Sequence, residues 1–260
     1  MKLTLVALLL LVGTASAQAG LHTEVVEYRH GDTVLEGYLA YDDSQKDKRP
    51  GVLIVHEWMG HNPYVRQRAE QLAKLGYVAF ALDMYGKGVH AKDAKEAAEM
   101  AGKYKGDRKL MRSRAQAGLD VLRNSPLVDP KRLGAMGYCF GGTTVLELAR
   151  GGAGLAGIVS FHGDLSTPLP EDAKNIKGRV LVLHGADDPF VPPAQVAAFE
   201  DEMHRAKVKY ELVKYPGAVH SFTNPGAGND NSRGAAYNAD ADKQSFEAMK
   251  KFFAEVFQSK

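Results

Sequence analysis

Short apolar runs alternate with segments of helical spacing along most of the chain. Two strands are predicted first, over residues 23–29 and 33–40, joined by a tight turn at His30-Gly31-Asp32. Six further apolar runs predict buried strands, and five segments with helical periodicity separate or follow them. The predicted strands are 52–55, 78–82, 133–136, 158–161, 180–183 and 208–215, and the predicted helices are 64–75, 110–123, 143–150, 193–206 and 239–257.

Strands that are apolar throughout and separated by helices predict an α/β fold. We expect a mostly parallel, doubly wound sheet with helices on both faces. Residues 91–104 are rich in alanine and charge and predict a solvated surface helix. Residues 225–237 are rich in glycine and asparagine and predict a long irregular loop.

The first residues predict a cleaved signal peptide over 1–17. Lys2 supplies a positive start, residues 3–12 are apolar, and Ala15-Ser16-Ala17 forms an A-x-A cleavage site. The apolar run is too short to span a bilayer, so we expect no membrane association after cleavage. Residues 18–260 then form a single domain, which we expect in the periplasm or outside the cell.

Composition and motifs exclude several classes of function. The net charge is +2, with 33 basic and 31 acidic residues dispersed along the chain, so no basic stripe for nucleic acid is present. The chain has one cysteine and therefore forms no intramolecular disulfide. It contains no HExxH, CxxC or P-loop motif, so we expect no metal and no cofactor. The expected partner is a small molecule; the oligomeric state stays open, with a monomer favoured.

The single cysteine lies in a G-x-C-x-G motif, within Gly137-Tyr138-Cys139-Phe140-Gly141-Gly142. A predicted strand precedes this hexapeptide and a predicted helix follows it. This is the cysteine counterpart of the nucleophile elbow, whose sharp turn lifts the central side chain above the sheet. Cys139 is therefore a candidate nucleophile at the positive end of a helix. The alternative is an inert thiol buried in the core.

An acid and a histidine follow in the order that α/β-hydrolases use. Asp187 and Asp188 come after the strand 180–183, and His220 comes after the strand 208–215. Functional groups in such sheets gather at the carboxyl ends of the strands. We therefore predict His220 as the general base and Asp188 as the acid that orients it, with Asp187 forming the turn.

The loop after the strand 52–55 is expected to contribute to an oxyanion hole. Backbone N–H groups of Phe140 and Trp58 are the candidates, because one donor follows the nucleophile and one comes from this loop. Glu57 is unusual at such a position. Its carboxylate either holds the proton of the thiol in the resting state or is a charge on a surface loop, and the loop alone does not decide between them.

Five stretches of the chain together resemble the dienelactone hydrolase family of α/β-hydrolases. The resemblance implies a Cys139–His220–Asp188 triad and places Glu57 next to the thiol, which that glutamate releases when substrate arrives. The stretches are Val55-His56-Glu57-Trp58-Met59-Gly60, Leu82-Asp83-Met84-Tyr85-Gly86, Gly137-Tyr138-Cys139-Phe140-Gly141-Gly142, Asp188-Pro189-Phe190-Val191-Pro192 and His220-Ser221-Phe222.

One departure from the family bears on the substrate. Family enzymes that act on dienelactone carry an arginine four residues after the triad histidine, which binds the substrate carboxylate; here that residue is Asn224. Asn224 is then a candidate substrate-binding residue for a substrate without a carboxylate. Tyr85 and His162 follow strands and are further candidates, with packing roles as the alternative for both.

We therefore predict an exported, cofactor-independent hydrolase of carboxylic esters or lactones. One alternative is a thioesterase or small-ester hydrolase that uses the same triad. The other is a hydrolase-like domain that only binds a ligand or senses redox state.

Overall fold

A computed structural model describes residues 20–258 of the chain. The predicted signal peptide over 1–17 lies outside the described residues. Within them the chain forms eight strands and six α-helices. The strands are β1 (Leu21–His30), β2 (Thr33–Asp42), β3 (Arg49–Val55), β4 (Val78–Leu82), β5 (Val128–Tyr138), β6 (Gly157–Phe161), β7 (Arg179–Gly185) and β8 (Tyr210–Tyr215), and the helices are α1 (Pro63–Lys74), α2 (Ala94–Gly106), α3 (Arg108–Asn124), α4 (Phe140–Arg150), α5 (Pro193–Ala206) and α6 (Ala239–Gln258).

All eight strands belong to one sheet, in the order β1-β2-β4-β3-β5-β6-β7-β8. β1 and β2 form the predicted antiparallel hairpin, and β2 also pairs antiparallel with β4. Every pairing from β4 through to β8 is parallel. The predicted α/β-hydrolase fold is therefore confirmed.

Apolar side chains on both faces of the sheet are covered by helices, which gives two core clusters. One face includes Leu53, Phe80 and Val180, and the other includes Ile54 and Met136. The central strands are buried on both faces, which is why they read as continuous apolar runs and not as alternating ones. None of the described helices has the length and apolarity needed to cross a bilayer.

A buried ionic cluster joins α4 to α5. Arg150 is fully buried and pairs with Glu147 at 3.0 Å and with Glu202 at 2.7 Å. Its guanidinium also donates to the Leu165 carbonyl. A charge without a partner in this position would be costly, so these three side chains depend on one another.

The helix predicted over 91–104 forms as α2, but it is not simply a solvated surface helix. Asp93 caps its first turn by accepting from the Glu96 N–H, and Asp107 separates it from α3. Ala97, Ala101 and Tyr104 are buried. Local composition could not reveal that these residues are buried.

Candidate active site

Cys139 stands at a sharp turn between β5 and α4. Its backbone has φ of 54° and ψ of −114°, a conformation that L-residues rarely adopt. A Cβ on Gly137 would lie 2.1 Å from the Gly141 carbonyl oxygen, and a Cβ on Gly141 would lie 2.1 Å from the Val55 carbonyl oxygen. Only glycine fits either position, so the two flanking glycines are what permits the turn.

His220 lies between the thiol and a buried aspartate. Its Nδ1 is 2.8 Å from Asp188 Oδ2, and its ring also makes a hydrogen bond with the Cys139 side chain. Burial alone would lower the pKa of His220, but the charges of Cys139 and Asp188 outweigh it and raise the pKa to about 10. The structure thus brings Cys139, His220 and Asp188 together.

The two neighbouring aspartates have different surroundings. Asp188 is 5% exposed, and its Oδ1 accepts from the Phe190 N–H at 2.8 Å while Oδ2 faces His220. Asp187 is exposed, and its carboxylate accepts from the Gly217 N–H at 3.0 Å. Asp188 is therefore the one placed to orient the histidine, and Asp187 stabilises the turn before it.

Hydrogen bonds fix the loop that follows β3. The Met84 N–H donates to Nε2 of His56, so the ring proton is on Nδ1, which donates to the Glu57 carbonyl at 2.6 Å. The Tyr85 hydroxyl donates to the Trp58 carbonyl at 2.8 Å. Within residues 20–258 no hydrogen bond occupies the N–H of Trp58 or of Phe140. Both amides are therefore open to an oxyanion.

Glu57 is buried and is held by the histidine loop. Its Oε2 accepts from Asn224 Nδ2 at 2.5 Å, and its Oε1 accepts from the Ser221 hydroxyl at 3.4 Å. Burial raises the pKa of Glu57, and the bond from Asn224 and the charge of His220 oppose that rise only in part. Asn224, at the position of the family arginine, thus holds Glu57 from the histidine loop.

The other two candidate substrate residues, Tyr85 and His162, are buried beside the site. Tyr85 packs its ring against His56 and Phe140 while its hydroxyl holds the Trp58 loop. His162 is fully buried, and both of its ring nitrogens are engaged by protein groups. Neither of them lines the cavity at Cys139, whereas Asn224 does.

A cavity of about 740 Å³ opens at Cys139, a size suited to a small-molecule substrate. Its walls are mostly apolar, with charged groups at Glu57, Lys105, Asp164 and Arg233. The lining residues are Glu57, Trp58, Met59, Asn62, Ala94, Ala98, Ala101, Gly102, Lys105, Cys139, Phe140, Thr143, Asp164, Phe190, Val191, His220, Ser221, Asn224, Gly226, Ala227, Arg233 and Ala235.

Sequence reasoning missed the contribution of α2 to this cavity. One face of the helix lines it through Ala94, Ala98, Ala101, Gly102 and Lys105, which recur every three or four residues. The signal was available as small residues at helical spacing. A small-residue face, however, is typical of tight helix packing as well as of a pocket wall.

Two charged residues in the cavity differ in their pairing. Lys105 is 3.1 Å from Asp164, so its charge is partly neutralised. Arg233 is exposed and belongs to the loop that follows His220.

Among the described residues no group of three or more histidine, cysteine or carboxylate side chains could hold a metal ion.

Comparison with known proteins identifies a family. The profile of the dienelactone hydrolase family matches residues 35–257. A relative from Synechocystis sp., named "Putative carboxymethylenebutenolidase", is 27% identical over 243 residues, 89% of this chain and 96% of its own.

Two solved structures are similar over almost their entire length. A protein named m3DLH is 43% identical with a TM-score of 0.89, over 92% of this chain and all of its own. A dienelactone hydrolase-like promiscuous phosphotriesterase from metagenomic libraries is 42% identical with a TM-score of 0.87, over 91% of this chain and 99% of its own.

Proposed function

Because this chain belongs to the dienelactone hydrolase family, and is an ester or lactone hydrolase of that kind, we propose that Cys139 is its nucleophile. His220 acts as general base and acid, and Asp188 orients it. The observation that carries the proposal is the contact of His220 with both the Cys139 side chain and Asp188 Oδ2. The reaction proceeds without a cofactor.

The proposed reaction forms and then breaks a thioester. The Cys139 sulfur attacks the carbonyl carbon, and the Phe140 and Trp58 N–H groups bind the oxyanion. The tetrahedral intermediate expels the alkoxide, which takes a proton from His220. His220 then removes a proton from water, the hydroxide attacks the thioester, and the thiolate leaves with the carboxylic acid as product.

Cys139→Ala tests this mechanism. We expect turnover of p-nitrophenyl acetate to fall by a factor on the order of 10⁴ or more, and His220→Ala to cost a comparable factor, because the residues act as a unit. The melting temperature should change little, since the thiol lies at a turn and not in the core. Substantial hydrolysis by purified Cys139→Ala would reject the mechanism.

The binding-only alternative makes a different prediction. A domain that only binds a ligand would be labelled by an electrophile without releasing products repeatedly. A pre-steady-state burst of one p-nitrophenolate per Cys139, followed by steady turnover, supports an acyl-enzyme. Acyl-thioester substrates in the same assay test whether thioesters are preferred to oxygen esters.

We further propose that the substrate is uncharged near Asn224. The Asn224 amide already donates to Glu57, and an amide cannot make the charge-assisted, bidentate contact that arginine makes with a carboxylate. Dienelactone, which carries a carboxylate, should be a poor substrate beside a neutral lactone of similar size. A strong preference for the anion would instead assign its recognition to Arg233 or Lys105, which line the cavity.

Hydrolysis of a neutral phosphotriester is a second candidate activity. It is favoured by the 42% identity to the promiscuous phosphotriesterase together with an uncharged amide at Asn224. The Cys139 sulfur would attack phosphorus and expel an aryloxide, and water would then cleave the S–P bond. Diethyl p-nitrophenyl phosphate should be turned over by the wild type and not by Cys139→Ala. The anionic diester should be inert in both.

Export is part of the proposal and is supported by the pattern of residues 1–17. When the full chain is expressed in a Gram-negative host, the cleaved protein should be recovered from the periplasm with Gln18 as its first residue. N-terminal sequencing of that fraction tests the cleavage site. Recovery of the uncut chain in the cytoplasm would contradict export.

A further inference from the structure

His162 joins the backbone of Cys139 to the loop that carries His220. It lies directly after β6, and its own N–H donates to the Leu183 carbonyl at 2.9 Å, so its backbone is tied to β7. The side chain is fully buried between the two catalytic segments. The mechanism proposed above does not use its ring.

Each ring nitrogen of His162 has one partner. The Cys139 N–H is shared between Nδ1, at 3.1 Å, and the Phe161 carbonyl, at 3.0 Å, and Nε2 is 2.8 Å from the Thr223 hydroxyl oxygen. Since Nδ1 accepts a hydrogen bond, the ring proton is on Nε2 and is donated to Thr223. Burial and the charge of His220 lower the pKa of His162 well below its usual value, which agrees with a neutral ring.

Thr223 is itself held from the other side. Its hydroxyl is 2.7 Å from the Tyr64 hydroxyl, and its carbonyl accepts from Arg68 at 2.8 Å. Arg68 is fixed by a 2.6 Å ion pair with Asp242. The hydrogen-bonded bridge from Cys139 through His162 to Thr223 is therefore anchored at Thr223 to α1 and α6. Because Thr223 is held in place, a movement of His162 would displace Cys139.

The His162 ring also touches the catalytic loop directly. It makes edge contacts with the rings of His220, at 5.3 Å between centroids, and of Phe222, at 5.1 Å. Cys139 and Ser221 both have positive φ, and such backbone persists only where the surroundings enforce it. His162 contacts the first residue and packs against both neighbours of the second.

We propose that His162 is a positioning residue that sets the separation between the Cys139 sulfur and the His220 ring. It does so by accepting from the Cys139 amide while donating to Thr223, three residues beyond His220. The inference rests on the proposed nucleophilic function of Cys139.

The test compares two substitutions at His162. His162→Leu removes both hydrogen bonds, and kcat should fall about 10²-fold with KM nearly unchanged, as expected for a displaced reacting group. His162→Asn places an amide oxygen near the Nδ1 position, and its kcat should recover to within about tenfold of wild type, since only one hydrogen bond is lost. A role in packing alone predicts no rescue by asparagine.

Thr223→Val tests the other end of the bridge and carries the test if His162→Leu does not fold. Its kcat should fall about tenfold. Combined with His162→Leu it should cost no more than His162→Leu alone, because Thr223 acts through His162. His204→Asn is the control: His204 is a histidine on α5 whose ring contacts Tyr210. Its kcat should stay within about twofold, as is usual for a site outside the network.

A second readout separates this proposal from the proposed function. Alkylation of Cys139 by iodoacetamide needs no substrate and reports the thiolate that His220 stabilises. The alkylation rate should fall about tenfold in His162→Leu, because the displaced His220 then stabilises the thiolate with one contact fewer. The rate should remain near that of the wild type in His162→Asn. A wild-type rate of alkylation in His162→Leu, or an equal fall of the rate in the leucine and asparagine variants, would overturn the positioning role. Absence of wild-type hydrolysis with normal alkylation would instead overturn the proposed function.

Discussion

Replacing Asp188 by asparagine should change the charge state of the catalytic pair while leaving the cavity in place. Asp188 Oδ2 is 2.8 Å from His220 Nδ1, and the aspartate is 5% exposed. The asparagine is nearly isosteric and can still accept from the Phe190 N–H. It removes the negative charge and allows the histidine to take the wrong tautomer.

The size of the effect follows from that contact. A hydrogen bond to a charged group contributes about 1.5–3 kcal/mol, and one pKa unit corresponds to about 1.4 kcal/mol. The pKa of His220, about 10 in the native chain, should therefore fall by roughly one to two units. Burial, which lowers the pKa of His220, would then favour the neutral ring more strongly, because the charge of Asp188 no longer opposes it.

The assay is the titration of the His220 ring between pH 5 and 11, followed by NMR of nitrogen-15-labelled histidine. A raised pKa of His220 means that the imidazolium persists up to about pH 10 and is lost above that value. In Asp188→Asn the loss should begin one to two pH units lower, and kcat should fall on the order of 10³-fold or more. Asp187→Asn is the matched control and should leave both unchanged. An unchanged titration of the His220 ring in Asp188→Asn would refute the reasoning.

Three further outcomes are expected. Glu57→Gln should speed alkylation of Cys139 at neutral pH, because Glu57 lines the same cavity as Cys139 and a carboxylate there disfavours a second negative charge; equal rates in variant and wild type would remove Glu57 from the mechanism. Ala98→Phe should lower kcat/KM for long-chain p-nitrophenyl esters about tenfold more than for the acetate, a difference on the scale of a filled apolar subsite, whereas Glu99→Phe on the same helix should not. Arg150→Met should lower the free energy of unfolding by about 3–5 kcal/mol in urea, since the buried Glu202 loses its ion-pair partner and the buried Glu147 keeps only Arg112; a loss below about 1 kcal/mol would contradict it.

The fold could be predicted because its signals are local. Each buried parallel strand appears as a continuous apolar run, and the Gly31 turn between β1 and β2 follows from its own residues. Element ends were less accurate: β5 begins at Val128, whereas the apolar run that predicts it begins at Leu133. Val128 pairs with Arg49, and regular pairing resumes at Leu133 after a register shift. Residues 129–132 between them are largely polar, so their hydropathy carries no strand signal.

The candidate site could be predicted only where each residue follows its own strand. Cys139, Asp188 and His220 each come directly after a strand or in the turn beyond it, so chain order was enough to bring them together. Contacts between side chains distant in sequence could not be inferred in that way. The bridge from Cys139 through His162 to Thr223 spans 84 residues and depends on how β6 packs against the histidine loop.

Backbone strain provides an independent argument for where the chemistry lies. Within residues 20–258 four non-glycine residues have positive φ: Cys139, His162, Lys207 and Ser221. Lys207 ends α5 in the left-handed conformation that commonly closes a helix. The other three meet at one point, where Cys139 bonds to His162 and His162 packs against His220 and Phe222.

Each such residue costs about 1–3 kcal/mol, so together they consume an appreciable share of the roughly 5–15 kcal/mol that stabilises a domain. If the backbone conformation alone mattered, glycine would be favoured at these positions, because it adopts positive φ without that cost. The strained residues instead cluster around the thiol, its base and the loop that holds Glu57. Such strain is expected where function requires those side chains in one fixed arrangement. The strained residues Cys139 and Ser221 lie in the same two segments that chain order brings together, at the thiol and beside His220.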